Sequence, residues 1–264
     1  MGTQFASRLT PRDTERVLAG VRTAWQTVSP ERPRRGTPAG QALPPADRRR
    51  LGDLTVASVL QVAETHALST DFRQSPVFIP VLDWLKGLVT NAKYNGFRGV
   101  INDYGLEDTV SPSSELMRRV EDVITTAERG ERDAFRSAIK AAARGVVARV
   151  LAKPLSGRPN ESAARFMGRR FATMEIKEVV DHYIRNFVFS FVETLLDRAD
   201  PHSEEKLVYG SKDAVLGAAE RMARRAARKA EAEGKLTDSR RVREIVFEEL
   251  KQWSVSPGAE TVDV

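Results

Sequence analysis

Three features of the 264-residue sequence predict an all-α chain. The expected architecture is an irregular multi-helix bundle with an N-terminal tethered helix and a long C-terminal helical hairpin. Apolar residues recur at spacings of three and four in segment after segment, the period of a helix with one buried face. Helix start and stop signals bracket those segments: Thr10-Pro11, Ser111-Pro112 and Asp238 at starts, Gly234 at a stop. Hairpin dipeptides flanked by alternating apolar residues are missing, so nothing calls for a sheet.

The first helix is expected over residues 11–28. Thr10 is placed to cap it, and Pro11 suits the first helical position. Val17, Leu18, Val21, Trp25 and Val28 form its apolar face. Residues 29–45 then read as a linker. Five prolines block regular structure, while Arg32, Arg34 and Arg35 make it basic. A helix over 47–68 follows, with Leu51, Leu54, Val56, Val59, Leu60 and Val62 inward. Residues 76–95 are apolar nearly all round, which predicts a buried helix with Pro80 in its first turn. Asn95-Gly96 ends that helix, and a short piece follows over 97–104.

Ser111 and Pro112 open the next helix, expected to end near Gly130. Helices over 132–153 and 161–171 follow, separated by a loop with Pro154 and Pro159. Residues 173–199 carry the widest apolar stripe, from Ile176 through Tyr183 and Phe187 to Leu196, and should be the central core helix. An Ala-rich helix is expected over 203–233, with Gly210 and Gly217 as candidate interruptions. Thr237 or Asp238 caps a last helix ending at Trp253. The organisation predicted is an amphipathic helix plus Pro/Arg-rich linker over 1–45, a helical core domain over 46–253 and a flexible tail over 254–264.

The chain has no cysteine, which excludes disulfides, thiolate metal sites and cysteine nucleophiles. Its N-terminus lacks an apolar signal-peptide core. No apolar run approaches the ~20 residues of a membrane helix. A cytoplasmic protein without membrane contact is therefore expected. The formal net charge is +6. An excess of arginine favours an anionic partner such as nucleic acid, although composition alone produces the same balance.

The candidate nucleic-acid-binding residues lie in the C-terminal hairpin. Arg221, Arg224, Arg225, Arg228 and Lys229 contain no acid among them, and 221, 225 and 228 share a helical face. Such an array suits a phosphate backbone, because several cations in register release condensed counterions together. Glu220, Glu231 and Glu233 bracket the cluster and are placed to pair with it. Arg240 and Arg241, at the start of the last helix, stand where a helix-turn-helix presents residues to bases. Glu244, Glu248 and Glu249 oppose that use, and a plain helical hairpin is the simpler reading. Arg48, Arg49 and Arg50, with the linker arginines, form an auxiliary basic arm.

Leu18, Val21 and Trp25 on the first helix are the candidate partner-binding residues, because a tethered amphipathic helix docks either on its own body or in a partner's groove. Glu175, Glu178 and His182 share one face of the central helix, but a metal site there needs ligands from a second helix. Gly96-Phe97-Arg98-Gly99 has the spacing of a backbone-clamping loop without the sheet such loops require. Two Ser-x-x-Lys matches, at Ser137 and Ser203, lack their partner motifs, and no Gly-rich phosphate loop or nucleophile elbow is present.

The sequence thus favours a non-enzymatic helical interaction or adaptor protein, one subunit of a larger assembly, without cofactor or metal. Self-association or a protein partner is expected. Nucleic-acid binding through the basic helix face is the alternative, and an enzyme with a helix-borne His/Glu site is the second.

Overall fold

The computed structural model describes residues 10–28, 43–66, 72–104, 111–129, 133, 135–152, 163–199 and 207–258. The fold is an all-α bundle, with nine helices and no strand among the described residues. In chain order these are α1 Pro11–Val28, α2 Pro45–His66, α3 Phe78–Tyr104, α4 Pro112–Glu128, α5 Arg136–Ala152, α6 Ala163–Thr173, α7 Ile176–Ala199, α8 Leu207–Ala232 and α9 Ser239–Val255. Of the expected linker and tail, residues 29–42 and 259–264 lie outside the described residues; Pro45 opens α2, and α9 runs past Trp253 to Val255, with Ser254 buried and hydrogen-bonded to Gln61 and Glu64 of α2 rather than in a flexible tail.

Helix α7 is the centre. It packs against α5 and α8 over most of its length and also touches α1, α2 and α3. Its stripe Val179, Val180, Tyr183, Ile184, Phe187, Val188, Phe191 and Val192 is buried throughout. Phe187 stacks on Phe72 at 5.2 Å and meets Phe78 edge-on at 5.3 Å, while Phe135 lies 5.5 Å from Phe191. Each such ring buries apolar surface that stabilises the fold by about 2–3 kcal/mol. The quadrupolar ring contacts add about 0.5–1.5 kcal/mol per pair. The Tyr183 hydroxyl, fully inside this cluster, donates to the Phe78 carbonyl at 3.2 Å, and burial raises its pKa far above the usual phenol range.

A buried carboxylate organises the ends of two helices beside those rings. Asp133 accepts from the Ser75 hydroxyl, from Val77 N at 3.3 Å and from Phe135 N at 2.7 Å. Ser75 in turn accepts from Phe78 N at 3.2 Å, capping α3. Glu128, at the end of α4, accepts from Asp133 N and from Arg136, and Arg136 also reaches Glu121. Burial pushes the Glu121 carboxyl up, but Lys140 and Arg136 outweigh it and hold it below the ordinary range.

The helix ends largely follow their sequence signals. Thr10 and Asp13 close a reciprocal cap on α1: the Thr10 hydroxyl donates to Asp13 at 2.6 Å, and Asp13 N donates back to Thr10 Oγ1 at 3.3 Å. Asp238 caps α9 by accepting from Arg240 N and Arg241 N, both at 3.1 Å. Gly234 ends the α8 hairpin arm at φ 65°, with Lys235 N bonded to Ala230 O and Gly234 N to Glu231 O. That is the paired closure a left-handed residue permits. Gly96, φ 65° and ψ −164°, breaks α3 into two arms.

Some signals resolve differently. Ser111 makes no side-chain cap on α4; its hydroxyl pairs with those of Ser113 and Ser114 instead. Helix α8 runs unbroken through Gly210 and Gly217, since a glycine inside a packed helix costs only about 1 kcal/mol.

Helix α1 lies along α2 and also touches α7 and α8. Helix α2 is covered by α1, α8 and α9. Gly52 permits the α2–α8 approach, because a Cβ there would strike the Ala214 backbone carbonyl. The hairpin turn is fixed to α3 by Lys86, which donates to Thr237 O at 2.8 Å, and by Ser239, which donates to Asp83 at 2.5 Å. Burial lowers the Lys86 pKa against the opposing pull of Asp83. No helix among the described residues is long and apolar enough to cross a membrane.

Candidate functional site

The seven basic candidates of the hairpin divide into two groups. Arg221 pairs with Asp53 of α2 at 2.5 Å. Arg225 pairs with Glu249 of α9 at 3.1 Å, and its guanidinium lies 5.6 Å from the Trp253 ring centre. Lys229 pairs with Glu248 at 2.6 Å. Arg241 meets Glu233 through two bonds of 2.6 and 2.8 Å, and also Glu248 at 2.9 Å and Glu244 at 3.3 Å. These four cations belong to the seams joining α8 to α2 and α9. Arg224, Arg228 and Arg240 are exposed, and meet no carboxylate among the described residues.

Burial decides the electrostatics of the seam. It raises the pKa of Asp53 and of Glu249, and the adjacent Arg221 and Arg225 offset only part of that rise. Glu248 is held low by its bond to Lys229, with Arg241 adding to the effect. Glu233 is held low by Arg241. The acids expected to pair along α8 itself are engaged elsewhere: Glu220 with Arg185 at 3.0 Å, and Glu231 with Lys177, both on α7. Two of the α9 acids set against phosphate binding, Glu248 and Glu249, pair with Lys229 and Arg225 of α8, and the third, Glu244, pairs with Arg241 of α9 itself.

Leu18, Val21 and Trp25 come together on α1 and face the interior. Val21 and Trp25 are buried, and Leu18 is half-buried against the same core. The apolar face of α1 is therefore already covered by the chain's own helices.

The central-helix trio does not converge. Glu178 accepts from Glu175 N at 3.1 Å, acting at the start of α7. Burial lowers the His182 pKa, partly countered by the charge of Asp181. Among the described residues no group of three or more His, Asp or Glu is arranged to hold a metal. Gly96 and Gly99 lie at the bend of α3, and the side chains of Phe97 and Arg98 lie outside the described residues.

A feature absent from the sequence reading is an open cleft of about 750 Å3 between α3 and α4. Pro76, Pro80, Trp84, Val123 and Ala127 give it an apolar floor; Asp103, Arg119, Asp122 and Arg129 supply charge around it. Trp84 is half-buried and faces the opening, whereas the all-round apolar pattern of its helix predicted burial. Part of the signal was present: 80 and 84 are one turn apart on α3, and 119, 123 and 127 are spaced by four on α4, which puts each set on one helical face, while Pro76 joins from the turn before α3. No family model, curated protein or solved structure matches this chain.

Proposed function

We propose that the chain is a non-enzymatic helical interaction protein that seats a peptide segment of a partner protein in the α3–α4 cleft. The observation that carries this reading is the half-exposed Trp84 on a floor of two prolines, a valine and an alanine, with arginine and aspartate around it. Sites that bind protein segments combine an aromatic anchor with a polar margin. The mixed charges suit a segment that carries both signs.

A photo-crosslinking residue introduced at exposed Thr126, compared with one at exposed Thr23 on α1, tests this in cells. A discrete adduct from position 126 alone, lost when Val123→Arg fills the cleft, supports the reading. The same adducts from both positions, or none from 126, overturn it.

Nucleic-acid binding is the second reading, favoured by one observation: Arg224 and Arg228 stand one turn apart on the solvent side of α8, with Arg240 exposed at the start of α9. Three cations form a small array for a polyanion, since the salt-linked part of affinity scales with the number of phosphates neutralised.

A further inference from the structure

The bend of α3 places a reactive dipeptide on the surface. Asn95 is exposed, Tyr94 beside it is 84% exposed, and Gly96 leaves helical geometry immediately afterwards. A Cβ built on Gly96 would meet nothing within 4 Å, so the residue after Asn95 is open on the side a side chain would take, and glycine itself puts none there. This is the sequence's one Asn-Gly pair.

We infer that Asn95 is a site of spontaneous deamidation, and that the reaction loosens the distal arm of α3. The Gly96 backbone nitrogen attacks Asn95 Cγ and loses its proton to solvent. The Cγ–Nδ2 bond breaks, and ammonia leaves with a proton from water. Water then opens the five-membered succinimide at either carbonyl, giving aspartate or isoaspartate. The net change is one water consumed and one ammonia released, with no redox partner.

The consequence follows from what Asn95 holds. Its Nδ2 donates to Asn91 Oδ1 at 3.1 Å, and Asn91 Nδ2 donates to Asp103. This relay ties the distal arm, residues 97–104, back across the proximal one. Gly99 allows the crossing, because a Cβ there would strike Asn91 and Asn95. A carboxylate at 95 has no N–H to donate. If Asn91 turned its amide to serve that carboxylate, its oxygen would face Asp103, so one bond of the relay is lost in either orientation. Isoaspartate also lengthens the main chain by one methylene at the bend. These effects hold whether or not the cleft binds a peptide.

The test uses the intact protein, held folded at mildly alkaline pH and, in parallel, unfolded in urea. Trypsin cuts after Lys93 and Arg98, isolating residues 94–98, and mass spectrometry reads the amide-to-acid exchange against Asn186 on α7. Conversion of Asn95 in the folded chain within about tenfold of the unfolded rate supports the assignment. Slower conversion, or conversion no faster than at Asn186, overturns it. Hydrogen exchange of residues 97–104 in Asn95→Asp tests the consequence. Faster exchange than in the parent is expected, and unchanged exchange refutes the loosening.

Discussion

Arg221 of α8 donates to the buried carboxylate of Asp53 of α2 at 2.5 Å, one residue along from Gly52, where a side chain would strike the Ala214 backbone of α8. Burial already raises the Asp53 pKa with the arginine in place. Removing the cation leaves the anion buried with only Arg49 nearby. Arg221→Ala is therefore expected to cost about 2 kcal/mol at neutral pH, read from urea unfolding. A raised native pKa means that the folded state binds the proton more tightly than the unfolded one, so protonation favours folding. The deficit of the variant should shrink as the pH falls through its Asp53 pKa. A deficit independent of pH would show that Asp53 is not its source.

The same pairing determines which arginines report on nucleic acid. Substituting Arg221 or Arg225 disturbs the helix seams and confounds any binding measurement. The triple variant Arg224→Gln, Arg228→Gln, Arg240→Gln leaves those seams intact, and its unfolding midpoint should match the parent. If duplex DNA binds through these residues, the logarithmic salt slope in the parent should not exceed about 3 in magnitude, and the variant should lose most of it. A steeper slope that the variant retains would place the binding surface elsewhere.

Arg241 of α9 reaches back to Glu233 at the end of α8 and pairs along its own helix with Glu244 and Glu248. Glu233 and Glu248 both have lowered pKa values. A carboxylate held low contributes stability at neutral pH that is lost as the pH falls through its folded-state pKa, below the ordinary value of about 4.3. Arg241→Ala removes that contribution at Glu233 and weakens it at Glu248, which Lys229 still holds. Its acid-unfolding midpoint, followed by circular dichroism, should lie at higher pH than the parent's. Coincident acid transitions would mean the three contacts add nothing to the hairpin.

One glycine of α2 and one of α8 should respond oppositely to alanine. At Gly52 a methyl group meets the Ala214 backbone, which no rotamer change relieves. The expected loss is about 3 kcal/mol. At Gly217, within the same α8 interior, the nearest atom is Arg221 Nη1 at 3.5 Å, an ordinary contact. Gly217→Ala should stabilise by about 0.5–1 kcal/mol, because alanine is the better helix former. Thermal or urea midpoints moving in the same direction for both would contradict this packing.

Local rules carried most of the fold. The α1 boundaries, the Asp238 cap, the Gly234 stop, the bend at Gly96 and the central role of α7 each follow from spacing or from one residue's conformational preference. Contacts between distant segments were not accessible that way. The basic face of α8 reads as open in sequence because its partners, Asp53 and the α9 acids, come from other helices; helical spacing offers Glu220, Glu231 and Glu233, of which the first two turn to α7 and the third to Arg241 of α9. Trp84 reads as buried because its helix is apolar nearly all round, and hydropathy does not record that a cleft is left open beside it between α3 and α4. Trp25 is equally consistent in sequence with docking on its own chain or on a partner; in the fold it is buried in the chain's own core.

The position of α2 has a kinetic meaning. Its Gln61 donates to Ser254 O at 2.8 Å, Ser254 donates to Glu64 at 3.0 Å, and Asp53 lies against Arg221 and Gly258. These partners are separated from α2 by well over a hundred residues, so loop closure must precede the contacts that reward it. During synthesis Leu51, Val56 and Leu60 emerge early with only α1 to cover α2, while α8 and α9, which cover the rest of it, emerge well over a hundred residues later. A nascent chain stalled before α8 would thus present an uncovered apolar surface, the feature that recruits holding chaperones and promotes aggregation.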